Sequence, residues 1–249
     1  MVAASGLLAG PAPRRVRNRP RPGVGRILSG NGGTPQAVFF DMDGLLVDTE
    51  PVWYEVERGI VTDLGGDWSA ADSALLVGGS MDRTVAHILD VTGGAASASW
   101  VAGRLRDGMT ERLRAGVPLR PGVKRLIAEL SSAGVPLALV TSSQPEHMRA
   151  VLAMAGDDLF TATVCSADVT NVKPHPEPYL TAAGRLGVDP ARCVVLEDSL
   201  NGTLAGEAAG CAVVTVPSVA EVPPGPGRTL VGSLTEVDLP FLRGLLGAS

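Results

Sequence analysis

The feature that most restricts the fold of this chain is a series of short apolar runs, each followed at once by polar residues. The runs at 37–40, 136–140 and 193–196 read AVFF, PLALV and CVVL, and a fourth lies at 212–216. Such runs, apolar without alternation, are typical of strands that are buried on both faces of a parallel sheet. Weaker strand candidates lie at 163–165 and 229–231.

Helical patterns lie between these runs. Residues 121–133 place proline in the first turn, keep leucine and isoleucine on one face and stop at Gly134. The stretches 145–155, 178–186 and 202–209 also stop at or before a glycine. This alternation predicts an α/β fold with a doubly wound parallel sheet.

The alternation is interrupted after the first strand. Between residues 52 and 116 no convincing strand is present, and helical patterns lie near 52–64, 81–91 and 98–115. We therefore expect a small helical cap domain, residues 51–119, inserted into a core domain made of 37–50 and 120–249.

The first 36 residues differ from the rest in charge. They hold six arginines and no acidic residue, whereas the whole chain has a net charge of −5. Because this stretch is also rich in proline and glycine, we expect a disordered basic arm. A weak arm for nucleic acid or an anionic surface and a transit-like segment are the alternatives. The acidic remainder argues against a nucleic-acid-binding surface.

The cysteine and apolar content of the chain bear on its cellular location. Cys165, Cys193 and Cys211 form no CxxC pair and lie in or beside apolar runs, which indicates small core residues rather than a zinc site. A reducing, cytoplasmic location is expected. No apolar run is long enough to predict a membrane-spanning helix.

Polar side chains follow the carboxyl ends of the predicted strands, where an open parallel sheet binds its ligands. One further candidate, Lys173, lies in a loop and is one of only two lysines beside 19 arginines. Carboxylates suit Mg²⁺, and hydroxyl, backbone N–H and ammonium donors suit phosphate oxygens. The strand-end candidates are Asp41, Asp43, Thr141, Ser142, Glu197 and Asp198.

Four segments together resemble the motifs of the haloacid dehalogenase-like phosphohydrolases. They are DMDGLLVDTE at 41–50, Thr141 after PLALV, Lys173 within NVKPHPEPYL, and LEDSLNG at 196–202. Order and spacing match over roughly 37–233. The Glu-Asp pair and the helical insertion resemble the branch of β-phosphoglucomutases and sugar-phosphate phosphatases. The opening DTEPVW is similar to phosphatases of hexose or hexitol phosphates and of 2-deoxyglucose 6-phosphate.

The resemblance implies a role for each candidate. Asp41 would be the nucleophile that forms an aspartyl-phosphate, and Asp43 would be the general acid and then the general base. Gly44 would permit the sharp turn behind them. Thr141, the Ser142 N–H and Lys173 would hold the phosphate. Mg²⁺ would be bound by the Asp41 carboxylate, the Asp43 carbonyl and Asp198, with Glu197 direct or through water.

The function expected is that of a Mg²⁺-dependent phosphatase for a small sugar or polyol phosphate. The alternative is a phosphosugar mutase similar to β-phosphoglucomutase. The resemblance places Trp53 where the mutases carry a histidine, and Val77 and Met81 where they carry basic residues, although Arg83 or Arg58 would restore charge in a shifted register. A dehalogenase fits poorly because of Asp43 and the metal carboxylates. A phospho-accepting receiver module carries its acceptor aspartate after a middle strand and an acidic pair after the first. It fits poorly because DxDG follows the first strand here and the chain has an added cap.

Other polar and aromatic residues have simpler interpretations. Asp48 and Thr49 are expected to be turn or helix-capping residues at the entry to the cap. The three tryptophans are expected to pack the cap, with one of them lining a sugar pocket. The histidines are expected to be solvated or capping residues, since none has a second histidine at ligand spacing. These sets are Trp53, Trp68 and Trp100, and His87, His147 and His175.

Overall fold

Residues 33–246, apart from Gly78, Asp157 and Val219, are described by a computed structural model. The predicted basic arm lies outside the described residues up to position 32. Six parallel strands form one sheet in the order β3-β2-β1-β4-β5-β6, which confirms the predicted doubly wound parallel sheet. The strands are β1 (Ala37–Phe40), β2 (Leu137–Val140), β3 (Ala162–Val164), β4 (Cys193–Glu197), β5 (Ala212–Thr215) and β6 (Arg228–Leu230).

Nine α-helices accompany this sheet within the described residues. Sequence patterns predicted all of them except α2 and α9, because five and eight residues are too few to establish a helical period. The helices are α1 (Glu50–Asp63), α2 (Ala70–Ala74), α3 (Met81–Val91), α4 (Ala98–Ala115), α5 (Val123–Ser132), α6 (Pro145–Ala155), α7 (Glu177–Leu186), α8 (Leu200–Ala208) and α9 (Leu239–Leu246).

The sheet is covered by helices on both faces. Because side chains alternate along a strand, Phe40 lies in the apolar cluster that contains residues of α5, α6 and α9, and Phe39 lies in the cluster of α7 and α8. Both phenylalanines have no exposed surface. This two-sided burial explains why the strands read as unbroken apolar runs.

Helices α1, α3 and α4 and the segments on either side of α2 form an apolar cluster of their own, which includes Ile60, Ile88 and Leu105. Helix α4 also packs against α6, where Nε2 of His147 lies 3.2 Å from the Arg106 carbonyl oxygen. The prediction that His147 is solvated or capping is wrong, because its side chain is buried at this contact. None of the helices described is long and apolar enough to cross a membrane.

Candidate active site

The candidate residues meet where the strand order reverses. The chain runs from β1 through β2 to β3 at one edge and then crosses to β4 on the other side of β1. Ligands of open α/β sheets bind beyond the carboxyl ends of the strands at such a switch point. Asp41 follows β1, Thr141 follows β2, Glu197 ends β4 and Asp198 comes next.

Lys173 is at the centre of a buried ionic network. Its Nζ donates to Asp41 Oδ1 at 2.5 Å, to Glu197 Oε1 at 2.6 Å and to the Val140 carbonyl at 2.8 Å. An ammonium group has three hydrogens, so these contacts use its whole donor capacity. Burial alone would lower the pKa of Lys173, but the carboxylates of Asp41 and Glu197 outweigh it and raise the pKa above its usual value.

Tyr179 is a member of this network that sequence reasoning missed. Its hydroxyl donates to Glu197 Oε1 at 2.6 Å, and its ring stacks on Phe39 with centroids 6.2 Å apart. Lys173 Nζ lies 5.0 Å from the centre of the same ring. Burial and then the charge of Glu197 raise the pKa of Tyr179, which keeps its hydroxyl a donor. Its place six residues after Lys173, one of two tyrosines in the chain, was the available signal.

Glu197 is held on both of its oxygens. Besides the Lys173 and Tyr179 contacts on Oε1, Oε2 accepts from the Asp198 N–H at 3.1 Å and from the Ser199 hydroxyl at 3.2 Å. A Cβ on Gly202 would lie 1.8 Å from Oε1, so only glycine permits helix α8 to begin this close to the carboxylate.

Gly44 makes room for Asp198 in the same way. Its φ of +82° confirms the turn predicted for it, and a Cβ there would lie 1.9 Å from Asp198 Oδ2. The Ser218 hydroxyl donates to that same oxygen at 2.6 Å. The motif at 41–50 and the motif at 196–202 are therefore in contact through Gly44 and the carboxylate of Asp198.

Three buried carboxyl groups converge here. One oxygen from each of Asp41, Glu197 and Asp198 lies within 4.8 Å of the others. Burial and then the charge of Glu197 raise the pKa of Asp198 to about 8, and burial raises the pKa of Asp41 as well. Because these groups share the single positive charge of Lys173, the cluster favours a further cation, and an all-oxygen donor set suits Mg²⁺.

Asp43 lies beside Asp41 but has different partners. Its Oδ2 accepts from the Thr141 hydroxyl at 3.1 Å and from the Ser143 hydroxyl at 2.7 Å. Ser143 also donates its N–H to the Thr141 oxygen at 2.9 Å. Ser143 was not predicted, and its only sequence signal is its place in the Thr-Ser-Ser turn after β2. Ser142 is exposed on the cavity wall.

A cavity of about 540 Å³ opens in front of these groups. Of the predicted site residues, all but Glu197 line it, because Glu197 lies behind Lys173 with no exposed surface. Its opposite wall belongs to α1, α2, α3 and the loop before α3. That wall includes Glu50, Trp53, Glu57, Ser73, Met81 and Arg83.

The side of the cavity formed by α1, α2, α3 and the loop before α3, called the cap side below, carries both an indole and carboxyl groups. Trp53 is the predicted cavity-lining tryptophan, and its ring meets that of His147 edge-on with centroids 6.1 Å apart. Glu50 also lines this wall, and Asp43 is the charged group that affects it most. Burial, then Asp43 and Glu57, raise the pKa of Glu50 to about 7.

Several simpler interpretations are also resolved. Nδ1 of His175 accepts from the Glu177 N–H at 3.2 Å, as a capping residue would, while Nε2 of His87 lies 3.0 Å from Asp72 Oδ1. Thr49 occupies the N-cap position of α1, as predicted, although its hydroxyl makes no capping hydrogen bond. All three cysteines are free and buried, as expected of core residues.

Comparisons with known proteins agree on one family. A family model described as haloacid dehalogenase-like hydrolase matches residues 35–210. Hexitol phosphatase B of Escherichia coli K12 is 34% identical over 191 residues, covering 73% of this chain and 83% of that protein. The plasmid protein CbbY of Cupriavidus necator is 36% identical over 200 residues, covering 74% and 78%. The crystal structure of CbbY from Rhodobacter sphaeroides in complex with phosphate superposes with a TM-score of 0.71 at 27% identity, covering 81% and 96%.

Proposed function

The chain belongs to the haloacid dehalogenase-like hydrolases, and from this premise we propose a Mg²⁺-dependent phosphatase that acts on a sugar or polyol phosphate through an aspartyl-phosphate. Its family and its phosphatase relatives make it a phosphoric monoester hydrolase of small phosphorylated metabolites. The metal, the covalent intermediate and the sugar or polyol class are the proposed part. A cytoplasmic location stays a prediction from cysteine usage.

The observation that carries the proposal is the contact of Lys173 with Asp41 beside an open cavity. Lys173 orients this carboxylate and lowers its pKa against the larger effect of burial, which favours the ionised form that a nucleophile needs. The Asp41 carboxylate attacks phosphorus, an acyl phosphate forms on Asp41, and the bond from phosphorus to the leaving oxygen breaks. The Ser142 N–H holds a phosphate oxygen during this transfer, and Lys173 attracts the phosphate by its charge, since its three hydrogens are donated elsewhere. Thr141 joins them when its hydroxyl turns from Asp43 to the phosphate.

Asp43 moves the protons in both halves of the reaction. It gives a proton to the leaving alcohol, and its carboxylate then takes one from the water that attacks phosphorus and releases Asp41. The hydroxyls of Thr141 and Ser143 orient Oδ2 of Asp43. The contact between Thr141 and Asp43 thus couples phosphate binding to the acid–base group.

The residues proposed to hold Mg²⁺ are Asp41, Asp198 and the backbone carbonyl of Asp43. Glu197 joins them directly or through water, and the hydrogen bonds to both of its oxygens favour water. When bound, the metal offsets the repulsion between the nucleophilic carboxylate and the phosphate. The raised pKa of Asp198 supports a cation at this position.

Phosphate release from p-nitrophenyl phosphate and from a panel of sugar and polyol phosphates tests the function. We expect turnover with Mg²⁺, loss of turnover with EDTA and recovery on adding Mg²⁺ back. Mass spectrometry of acid-quenched enzyme should find a phosphoryl group on the peptide that contains Asp41. Turnover unaffected by EDTA would refute the metal, and a labelled peptide that lacks Asp41 would refute the nucleophile.

One observation favours the mutase alternative, since Arg83 lines the cavity and offers a positive charge for a second phosphate. The other candidate, Arg58, is exposed and is not among the described residues that line the cavity. Trp53 cannot relay a proton as a histidine would. We therefore expect β-glucose 1-phosphate with a bisphosphate primer to yield inorganic phosphate faster than glucose 6-phosphate, and the reverse would establish the mutase.

A further inference from the structure

The cap contains a buried acid that the proposed mechanism does not use. Glu57 lies on α1 with 2% of its surface exposed, yet it lines the active-site cavity. Its Oε2 accepts a 2.7 Å hydrogen bond from the hydroxyl of Ser73 on α2. Ser73 is also buried and also lines the cavity. Two helices of the cap thus bring a carboxyl and a hydroxyl to one place on the wall.

The carboxyl group of Glu57 is placed among apolar side chains of the cap. The neighbours of Glu57 in α1, Val56 and Ile60, belong to the apolar cluster of the cap, where burying a carboxyl group costs free energy. Burial outweighs the hydrogen bond from Ser73 and raises the pKa of Glu57 to about 7. A buried carboxyl kept at this cost beside a cavity is expected to serve what the cavity binds.

We infer that Glu57 and Ser73 form a subsite that binds hydroxyl groups of the substrate's leaving alcohol, an inference that rests on the proposed phosphatase function. The carboxyl oxygens of Glu57 accept from substrate hydroxyls, and the Ser73 oxygen exchanges donor and acceptor roles with them. Trp53, on the same wall, offers an indole on which the C–H face of a sugar or polyol packs.

The charge of the wall restricts the ligand to one that is neutral beyond its phosphate. Glu50 and Glu57 both lie there, and above about pH 7, where both are ionised, each carboxylate repels a second phosphate or a carboxylate. Arg83 is exposed and balances only one of them. The ligand class is therefore a polyhydroxylated monophosphate, rather than a bisphosphate or a phosphorylated acid.

The substitution Glu57→Gln tests this subsite, because it keeps the shape and removes an acceptor and the charge. The measurement is kcat/KM for a hexitol phosphate and for p-nitrophenyl phosphate, whose leaving group carries no sugar hydroxyls. We expect the ratio of the two to fall about tenfold, mainly through KM. In Glu57→Gln, kcat/KM for fructose 1,6-bisphosphate should rise relative to kcat/KM for the hexitol phosphate. An unchanged ratio would refute the subsite.

The matched control is Glu55→Gln. Glu55 lies on the exposed side of the same helix, where it pairs with Arg112, and its loss should leave the ratio unchanged. Ser73→Ala gives a second, milder variant, expected to lower the ratio about threefold. If Glu57→Gln does not fold by circular dichroism, Ser73→Ala decides, and an unchanged ratio in that variant refutes the inference.

Two further outcomes separate the inference from the function on which it rests. Wild-type enzyme that releases no phosphate from any ester would refute the proposed function, and the subsite with it. Wild-type enzyme that hydrolyses p-nitrophenyl phosphate and keeps its substrate ratio in Glu57→Gln would refute the subsite alone. A preference for glucosamine 6-phosphate that Glu57→Gln abolishes would show that the carboxylate binds an ammonium group instead.

Discussion

The two ends of the cavity are built in different ways. At the core end, Asp41, Lys173 and Glu197 lie at strand ends or in a loop and are joined by hydrogen bonds of 2.5 to 2.6 Å. At the cap end, Glu57 and Ser73 lie on helices that pack around a separate apolar cluster. The core end is dense with charged groups that hydrogen-bond to one another, whereas at the cap end Glu57 and Ser73 form one hydrogen-bonded pair between two helices.

The difference indicates a division of labour. Phosphoryl transfer has a single geometry, and the strand ends provide the rigid positions that it needs. Leaving alcohols differ in shape and hydroxyl pattern, and a wall of helices can change its side chains without disturbing the sheet. Substitutions at the core end should therefore affect all substrates, and those at the cap end should discriminate among them.

The largest loss is expected for Asp41→Asn. An amide is too weak a nucleophile to form the covalent phosphoryl intermediate, so kcat should fall at least about 10⁴-fold for every substrate. Asp48→Asn is the matched control, since Asp48 lies in the same motif but faces Arg120 at 3.6 Å. Near-normal kcat in Asp41→Asn would show that Asp41 is not the nucleophile and would contradict the assignment of phosphoryl transfer to the core end.

Asp43→Asn should cost about 10²- to 10⁴-fold, the usual contribution of a general acid and base. The loss should be greater for hexitol phosphates than for p-nitrophenyl phosphate, because p-nitrophenolate leaves without a proton. A series of aryl phosphates gives the dependence of kcat on the pKa of the leaving group. Equal losses for alkyl and aryl esters would contradict the acid role.

Lys173→Arg should lower kcat/KM about 10²-fold although the charge is kept. The ammonium group uses three donors at one point between Asp41, Glu197 and Val140, and a planar guanidinium cannot meet all three. Lys124→Arg, on the exposed side of α5, is the control. Wild-type activity in Lys173→Arg would mean that the core end needs only a positive charge.

Tyr179→Phe should lower kcat about tenfold and change KM little, because it removes one donor to Glu197 and leaves Lys173 less well oriented. The other tyrosine of the chain provides the control, since Tyr54 lies in the cap on α1. Tyr54→Phe should leave kcat unchanged. An effect of Tyr179→Phe confined to KM or to thermal stability would show that the hydroxyl does not position the site.

The last prediction concerns stability rather than turnover. The pKa of Glu57 is raised from 4.5 to about 7 in the folded protein, so folding favours its protonated form. Its contribution to the free energy of unfolding is complete below pH 4.5 and is lost as the pH rises to about 7. The loss amounts to about 3 kcal/mol.

Urea unfolding at pH 4.5 and pH 8 measures this contribution. The wild type should lose about 3 kcal/mol more between these values than Glu57→Gln, which cannot titrate. Glu55→Gln should behave as the wild type does. Equal pH dependence in the wild type and Glu57→Gln would mean that Glu57 is not buried as a carboxyl group. The described difference between the core end and the cap end would then no longer hold for the cap end.

The sequence by itself determined the core fold and most of the core end. Runs such as AVFF and CVVL predict buried parallel strands because a strand covered on both faces cannot alternate. The polar residues after them are predicted to meet because parallel strands end at one edge. Asp41, Thr141 and Asp198 follow from that rule, and the turn at Gly44 follows from the rarity of positive φ in other residues.

Only the tertiary structure decided which groups touch. Tyr179 and Ser143 are ordinary residues of a helix and a turn until the fold brings them to Glu197 and Asp43. His147 reads as a polar residue near a helix start, and the packing of α4 against α6 buries it. Side-chain contacts between distant segments leave no local pattern, because they depend on the crossing of elements and not on spacing along the chain.

The cap shows the same limit most clearly. Its helices follow from their apolar period, but Glu57 and Ser73 are 16 residues apart on helices whose relative placement no period encodes. Within α1, Glu55 and Glu57 are two positions apart and look alike in the sequence. One faces solvent and the other faces the cavity, because successive side chains on a helix are about 100° apart and packing alone selects the inward face.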